Sequence, residues 1–106
     1  MNDTEKKVVP ARGYELRLKT PIKLGNQTLN TLIFDFEALT GRDMIAVENE
    51  MAALGEPLTM PEFSTSFQAK IAARAAKIGS DVIADLPLYE FKIITGRARS
   101  FLLGTD

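Results

Sequence analysis

From Glu15 onward hydrophobic and polar positions alternate, with Leu16, Leu18 and then Ile22 on one side and Glu15, Arg17 and Lys19 on the other. A period of two is that of a half-buried strand. Pro21 has no N–H to give to a ladder, so it predicts an edge strand or one that ends nearby. Gly25-Asn26 tolerates the positive φ of a reversal, and Thr28 to Phe36 is rich in Thr, Ile, Leu and Phe, which together predict a β-hairpin. Leu32, Phe34 and Phe36 would share one face. Leu29 and Ile33 fall on the other, so either both faces of the second strand are covered or a bulge lies near Asn30. A lone hairpin is marginal in water, and the helices that follow must pack on it.

The period then lengthens. Thr40 with Asp43 three residues later has the form of a helix cap with an acid in the first turn, and Met44, Val47, Met51 and Leu54 recur at helical spacing until Gly55 and Pro57 stop the pattern. A second helix starts near Pro61 or after Ser64, with Phe63, Phe67, Ile71, Ala75 and Ile78 on its apolar face, and closes at Gly79. Ser80 caps a short turn carrying Val82, Ile83 and Leu86. Asp85 and Pro87 open a last helix with the stripe Leu88, Phe91, Ile94, Ala98 and Phe101 or Leu102, inside which Gly96 predicts a kink or a stop. The expected class is α+β, an N-terminal β-hairpin packed on three main α-helices. Residues 14–106 are expected to form a single domain, and residues 1–13, polar apart from Val8-Val9, a flexible leader.

Composition narrows the chemistry. Across 106 residues the chain is 45% hydrophobic and 25% charged, an ordinary globular balance rather than a disordered one. It contains no cysteine and no histidine, which removes thiol nucleophiles, disulfides, histidine-based triads and the usual zinc and iron–sulfur ligands. The apolar runs Leu32-Ile33-Phe34 and Phe101-Leu102-Leu103 are far shorter than the ~20 residues a membrane helix needs, and residues 1–13 are polar with acids rather than basic then apolar, so neither a membrane span nor a signal peptide is expected. Absence of cysteine fits a reducing cytoplasm. Thirteen basic against fourteen acidic residues create no global positive field to concentrate the protein on nucleic acid or anionic lipid.

The acid pairs Asp35/Glu37 and Glu48/Glu50 have a spacing that does not converge on a helix, and it is the usual spacing of solvated charge on a strand. Gly25, Gly41 and Gly55 are too scattered for a phosphate loop. No catalytic residue, cofactor or metal is expected. Lys70, Arg74 and Lys77 form a basic stripe at i, i+4, i+7, joined in sequence by Arg97 and Arg99. That stripe is either the wet face of a helix or a docking face for an acidic partner helix, and it also supports an alternative reading as a small nucleic-acid-binding regulator. The phenylalanines and methionines, mostly core by type, could leave an adaptable groove.

Taken together, Leu16-Arg17-Leu18-Lys19-Thr20-Pro21-Ile22, Gly25, Leu32-Ile33-Phe34-Asp35-Phe36 and Leu39-Thr40-Gly41-Arg42-Asp43-Met44 with Glu48 after it resemble the opening of a known family. So do Phe67 to Ile78, Asp81-Val82-Ile83, Leu86-Pro87, Phe91 and the closing Phe101-Leu102-Leu103. The family is the small tail assembly chaperones of Mu-like and P2-like contractile-tailed bacteriophages and their prophages, and the resemblance spans about Glu15 to Leu103. It implies a non-catalytic chaperone that binds the tape-measure protein and keeps it soluble during tail tube assembly, in the host bacterial cytoplasm and not in the mature virion. A frameshifted longer form of the chain and self-association are further implied partners. A long helical tape-measure protein calls for an apolar groove with a charged rim, expected from Phe91, Ile94, Phe101 and Leu102 with Arg97 and Arg99 beside them.

Overall fold

A computed structural model describes residues 13–56 and 59–104. The expected leader, Gly13 apart, and the stop at Pro57 lie outside these residues. In chain order the elements are β1 (Tyr14–Leu24), β2 (Gln27–Phe34), a 3-10 turn (Phe36–Ala38), α1 (Gly41–Ala53), a second 3-10 turn (Pro61–Phe63), α2 (Thr65–Ala76), the short α3 (Ser80–Ala84) and α4 (Leu88–Leu103). The protein is α+β, a hairpin on three main helices.

β1 and β2 form a two-stranded antiparallel sheet reversed at Gly25, whose φ of +60° suits a residue without a Cβ. Below the turn Ile22 pairs with Leu29; nearer the core Leu16 pairs with Leu32. Between these stretches Leu18, Lys19, Thr20 and Pro21 lie opposite the single residue Asn30. The irregularity falls where Leu29 breaks step with Leu32 and Phe34: it changes the parity of pairing, and Leu29 and Ile22 both still pack on the core. It also accommodates Pro21, so β1 continues past the proline instead of ending there. β2 stops at Phe34; Phe36 is buried from the 3-10 turn beyond it.

The interrupted stretch is held by α4. Lys19 N–H donates to Glu90 Oε2 at 3.2 Å, and the Lys19 ammonium lies 4.4 Å from the centre of the Tyr89 ring. Glu90 is almost wholly buried, and among the described residues its Oε1 has no hydrogen-bond partner. A buried carboxylate so supplied loses hydration that one hydrogen bond only partly replaces.

α2 lies at the centre. Phe67, Gln68, Ala69, Ile71, Ala72, Ala73 and Ala75 are all buried, and β2, α1, α3 and α4 pack on it. Ser64 caps it by accepting from the Phe67 N–H at 3.2 Å. Its other end is closed by Lys77 at a φ of +59°, with Ile78 N–H reaching back to the Ala73 carbonyl; Gly79 instead stands at the start of α3, where a Cβ would collide with the Asp81 carboxylate. Ser80 is therefore the first residue of α3 and not its cap.

Several expected core positions are on the outside. Leu54 ends α1 exposed beside Gly55, Phe63 is exposed on the second 3-10 turn, and Leu88 is 71% exposed at the start of α4. Asp85 ends α3, and Pro87 immediately precedes α4. Gly96 neither kinks nor stops α4, which runs through it. No helix among the described residues is long and apolar enough to cross a membrane.

Two stability measurements follow from this packing. A Cβ at Gly96 would meet nothing within 4 Å, so Gly96→Ala is expected to stabilise by about 1 kcal/mol, a rise of roughly 4–8 °C in Tm. Glu90→Gln keeps an acceptor for Lys19 while removing a poorly compensated buried charge, and is expected to raise Tm; Glu90→Ala, which orphans that N–H, is expected to lower it.

Candidate functional site

The best-formed apolar groove lies between the start of α1 and the end of α4. It encloses about 220 Å³ and is lined on its apolar side by Leu39, Met44, Ile71, Phe101 and Leu102. Its floor is continuous with the core, since the Phe101 ring stacks on Phe36 at 5.4 Å and Phe36 on Phe34 at 6.2 Å. Phe101 is thus a shared residue, part core and part surface.

The polar edge of the groove is Asp43. Thr40 N–H donates to Asp43 Oδ2 at 2.8 Å, which fixes the first turn of α1, while Arg74 Nε from α2 donates to Oδ1 at 2.8 Å. The Thr40 backbone hydrogen bond, and secondly the Arg74 guanidinium, hold the carboxyl below its ordinary value of 3.8. One side chain caps a helix and ties it to its neighbour.

A second cleft, about 300 Å³, runs between α2 and α4. Thr65 and Gln68 line it from α2, and Leu88, Phe91, Lys92, Thr95, Gly96 and Arg99 from α4. Its buried polar groups are satisfied internally: Gln68 Nε2 donates to the Glu62 carbonyl at 2.6 Å and the Thr95 hydroxyl to the Phe91 carbonyl at 2.8 Å.

The residues expected to form one groove are therefore divided. Phe101 and Leu102 face the α1 groove and Phe91 the α2 cleft; Ile94 is fully buried and cannot contact a partner. The basic stripe is divided too. Lys70 reaches Ser80 Oγ at 3.5 Å and Glu50 at 3.8 Å, Arg74 is bound to Asp43, and Lys77 is the left-handed residue closing α2. Arg97 stacks 4.0 Å from the centre of the Tyr14 ring, whereas Arg99 lines the cleft. Two residues apart on a helix, they point to different surfaces.

Leu39 was not foreseen as a groove residue, and Met44 only as one of the phenylalanines and methionines that could leave a groove, although a signal for both exists. They flank the Thr40 cap at the positions of a hydrophobic staple, one residue before the cap and four after it. Among the described residues no three acids converge as metal ligands would. No family model matches this chain, and no curated protein or solved structure shows significant similarity to it.

Because its folded-state pKa is depressed, the Asp43 contribution is present above the ordinary carboxylate value of 3.8 and is lost as pH falls through the lower folded value. Asp43→Asn is therefore expected to melt below the parent at neutral pH. The difference should shrink once both are titrated well below that value, as followed by circular dichroism.

Proposed function

We propose that this protein is a tail assembly chaperone of a contractile-tailed phage or prophage. It binds the tape-measure protein in the bacterial cytoplasm, keeps it soluble while the tail tube assembles, and is left out of the mature virion. The observation that carries this reading is a coincidence of sequence and surface. The segment Leu39-Thr40-Gly41-Arg42-Asp43-Met44, one of the stretches that carry the family resemblance and part of the amino-terminal half where that resemblance is best, contributes one wall of the best-formed apolar groove.

The groove suits a reusable, weakly selective contact. Met44 is flexible and polarisable, Leu39 and Leu102 are partly open, and the frame beneath them is held by the Phe36–Phe101 stack and the Asp43–Arg74 pair. Apolar side chains repeating along a helical partner could dock there in turn, each contact burying area without a fixed polar address. The nucleic-acid alternative draws less support, since Lys70 and Arg74 are already engaged by groups of the chain itself.

Co-expression with the tape-measure protein of the same genome tests the proposal. The parent chain is expected to keep that partner in the soluble fraction, and Met44→Glu with Leu102→Glu to let it precipitate while the variant itself stays folded by circular dichroism. A partner that precipitates equally with and without the parent chain sinks the reading, and salt-sensitive retention of the parent on DNA would favour the alternative.

A further inference from the structure

We infer that the cleft between α2 and α4 is a docking site for an acidic amphipathic helix of a partner protein. This site is separate from the α1 groove, and it rests on the proposed function only for the broad premise that the protein binds other proteins.

Its chemistry is one-sided. Leu88 stands 71% exposed at one end, Phe91 is half-buried beside it, and Gly96 leaves the α4 backbone bare in the middle, where nothing would lie within 4 Å of a Cβ. Lys92 and Arg99 also line it, seven residues or about 10 Å apart along one face of α4. Thr65, in the first turn of α2, brings the positive end of that helix to the same cleft. Among the described residues no acidic side chain lines it. The polar groups at its base, Gln68 and Thr95, are already hydrogen-bonded within the chain, so what it offers an incoming group is apolar surface and positive charge.

That combination selects the occupant. A helix laid along α4 can set apolar side chains at i and i+4 against Leu88, Phe91 and the gap at Gly96, and carboxylates on its flanks against Lys92 and Arg99. A basic helix would meet like charge at both ends. A phosphate backbone would use the two cations but leave Leu88 without a contact.

The test uses the full chain and two labelled peptides of about 18 residues, five helical turns, sharing one leucine stripe and differing only in glutamates or lysines on its flanks. Fluorescence anisotropy is expected to show the glutamate peptide bound at least about tenfold tighter. Lys92→Glu with Arg99→Glu, both exposed in the parent and so replaceable without unfolding, should reverse the preference. Amide shifts on titration should centre on Thr65, Leu88 and Gly96. Equal binding of both peptides, an unchanged preference in the double variant, or shifts centred on Gly41 and Leu102 would each overturn the inference. So would a single-stranded oligonucleotide that binds tighter than the glutamate peptide, or a concentration-dependent rise in mass abolished by the same double variant, which would assign the cleft to nucleic acid or to a second copy. Met44→Glu with Leu102→Glu leaves this cleft untouched, so failure of the chaperone reading and failure of this one are separable.

Discussion

Everything in the fold depends on how closely other elements approach α2. Ala69, Ala72, Ala73 and Ala75 present a surface barely wider than the helix backbone, so strand, helices and turns can pack against different sides of the same twelve residues. Phe67 and Ile71 supply the bulk that fills the gaps between them. A chain of this size has room for one core, and an alanine-rich hub lets several short elements share it. The hairpin benefits most, since two strands alone bury too little to persist.

The open surfaces are by-products of the same arrangement. α1 and α4 are packed on α2, and where their ends approach each other over the Phe36–Phe101 stack a groove remains that no side chain of the described residues fills. On the opposite flank α4 lacks a side chain at Gly96, and a cleft opens against the start of α2. The polar groups that shape both places are largely spent on holding the frame. What they leave open among the described residues is apolar surface and a few cations.

Much of this was legible in the chain. The alternation after Glu15, the Gly25 reversal and the Thr40–Asp43 pair located the hairpin and α1, because each is a local preference with no competitor nearby. Even the misfit of Leu29 pointed to Asn30. Less legible was which apolar residues the tertiary packing would bury: Leu54, Phe63 and Leu88 fit a helical stripe as well as Val47 or Phe67 do, and only the ends of the elements decide that they are exposed. Gly79 resembled a helix stop more than Lys77 did, yet α2 is closed two residues earlier by the left-handed Lys77, and Gly79 precedes α3 with an ordinary φ. Site prediction suffered most. Sequence neighbours on α4 diverge around the helix, so Phe91 and Phe101 serve different surfaces, and the wall opposite Leu102 comes from α1, far away along the chain.

The uneven pairing of the hairpin also bears on how such a sequence can change length. The four residues Leu18 to Pro21 keep Leu16 and Ile22 on one side of β1, while the single Asn30 shifts β2 from even to odd positions. Loss or gain of one residue in that stretch of β1 would turn Ile22 away from the core and strand Leu29 without its cross-strand neighbour; a change of two would restore them. Viable relatives of this chain should therefore differ here by even numbers of residues, a rule of parity imposed by the pleat rather than by any particular side chain.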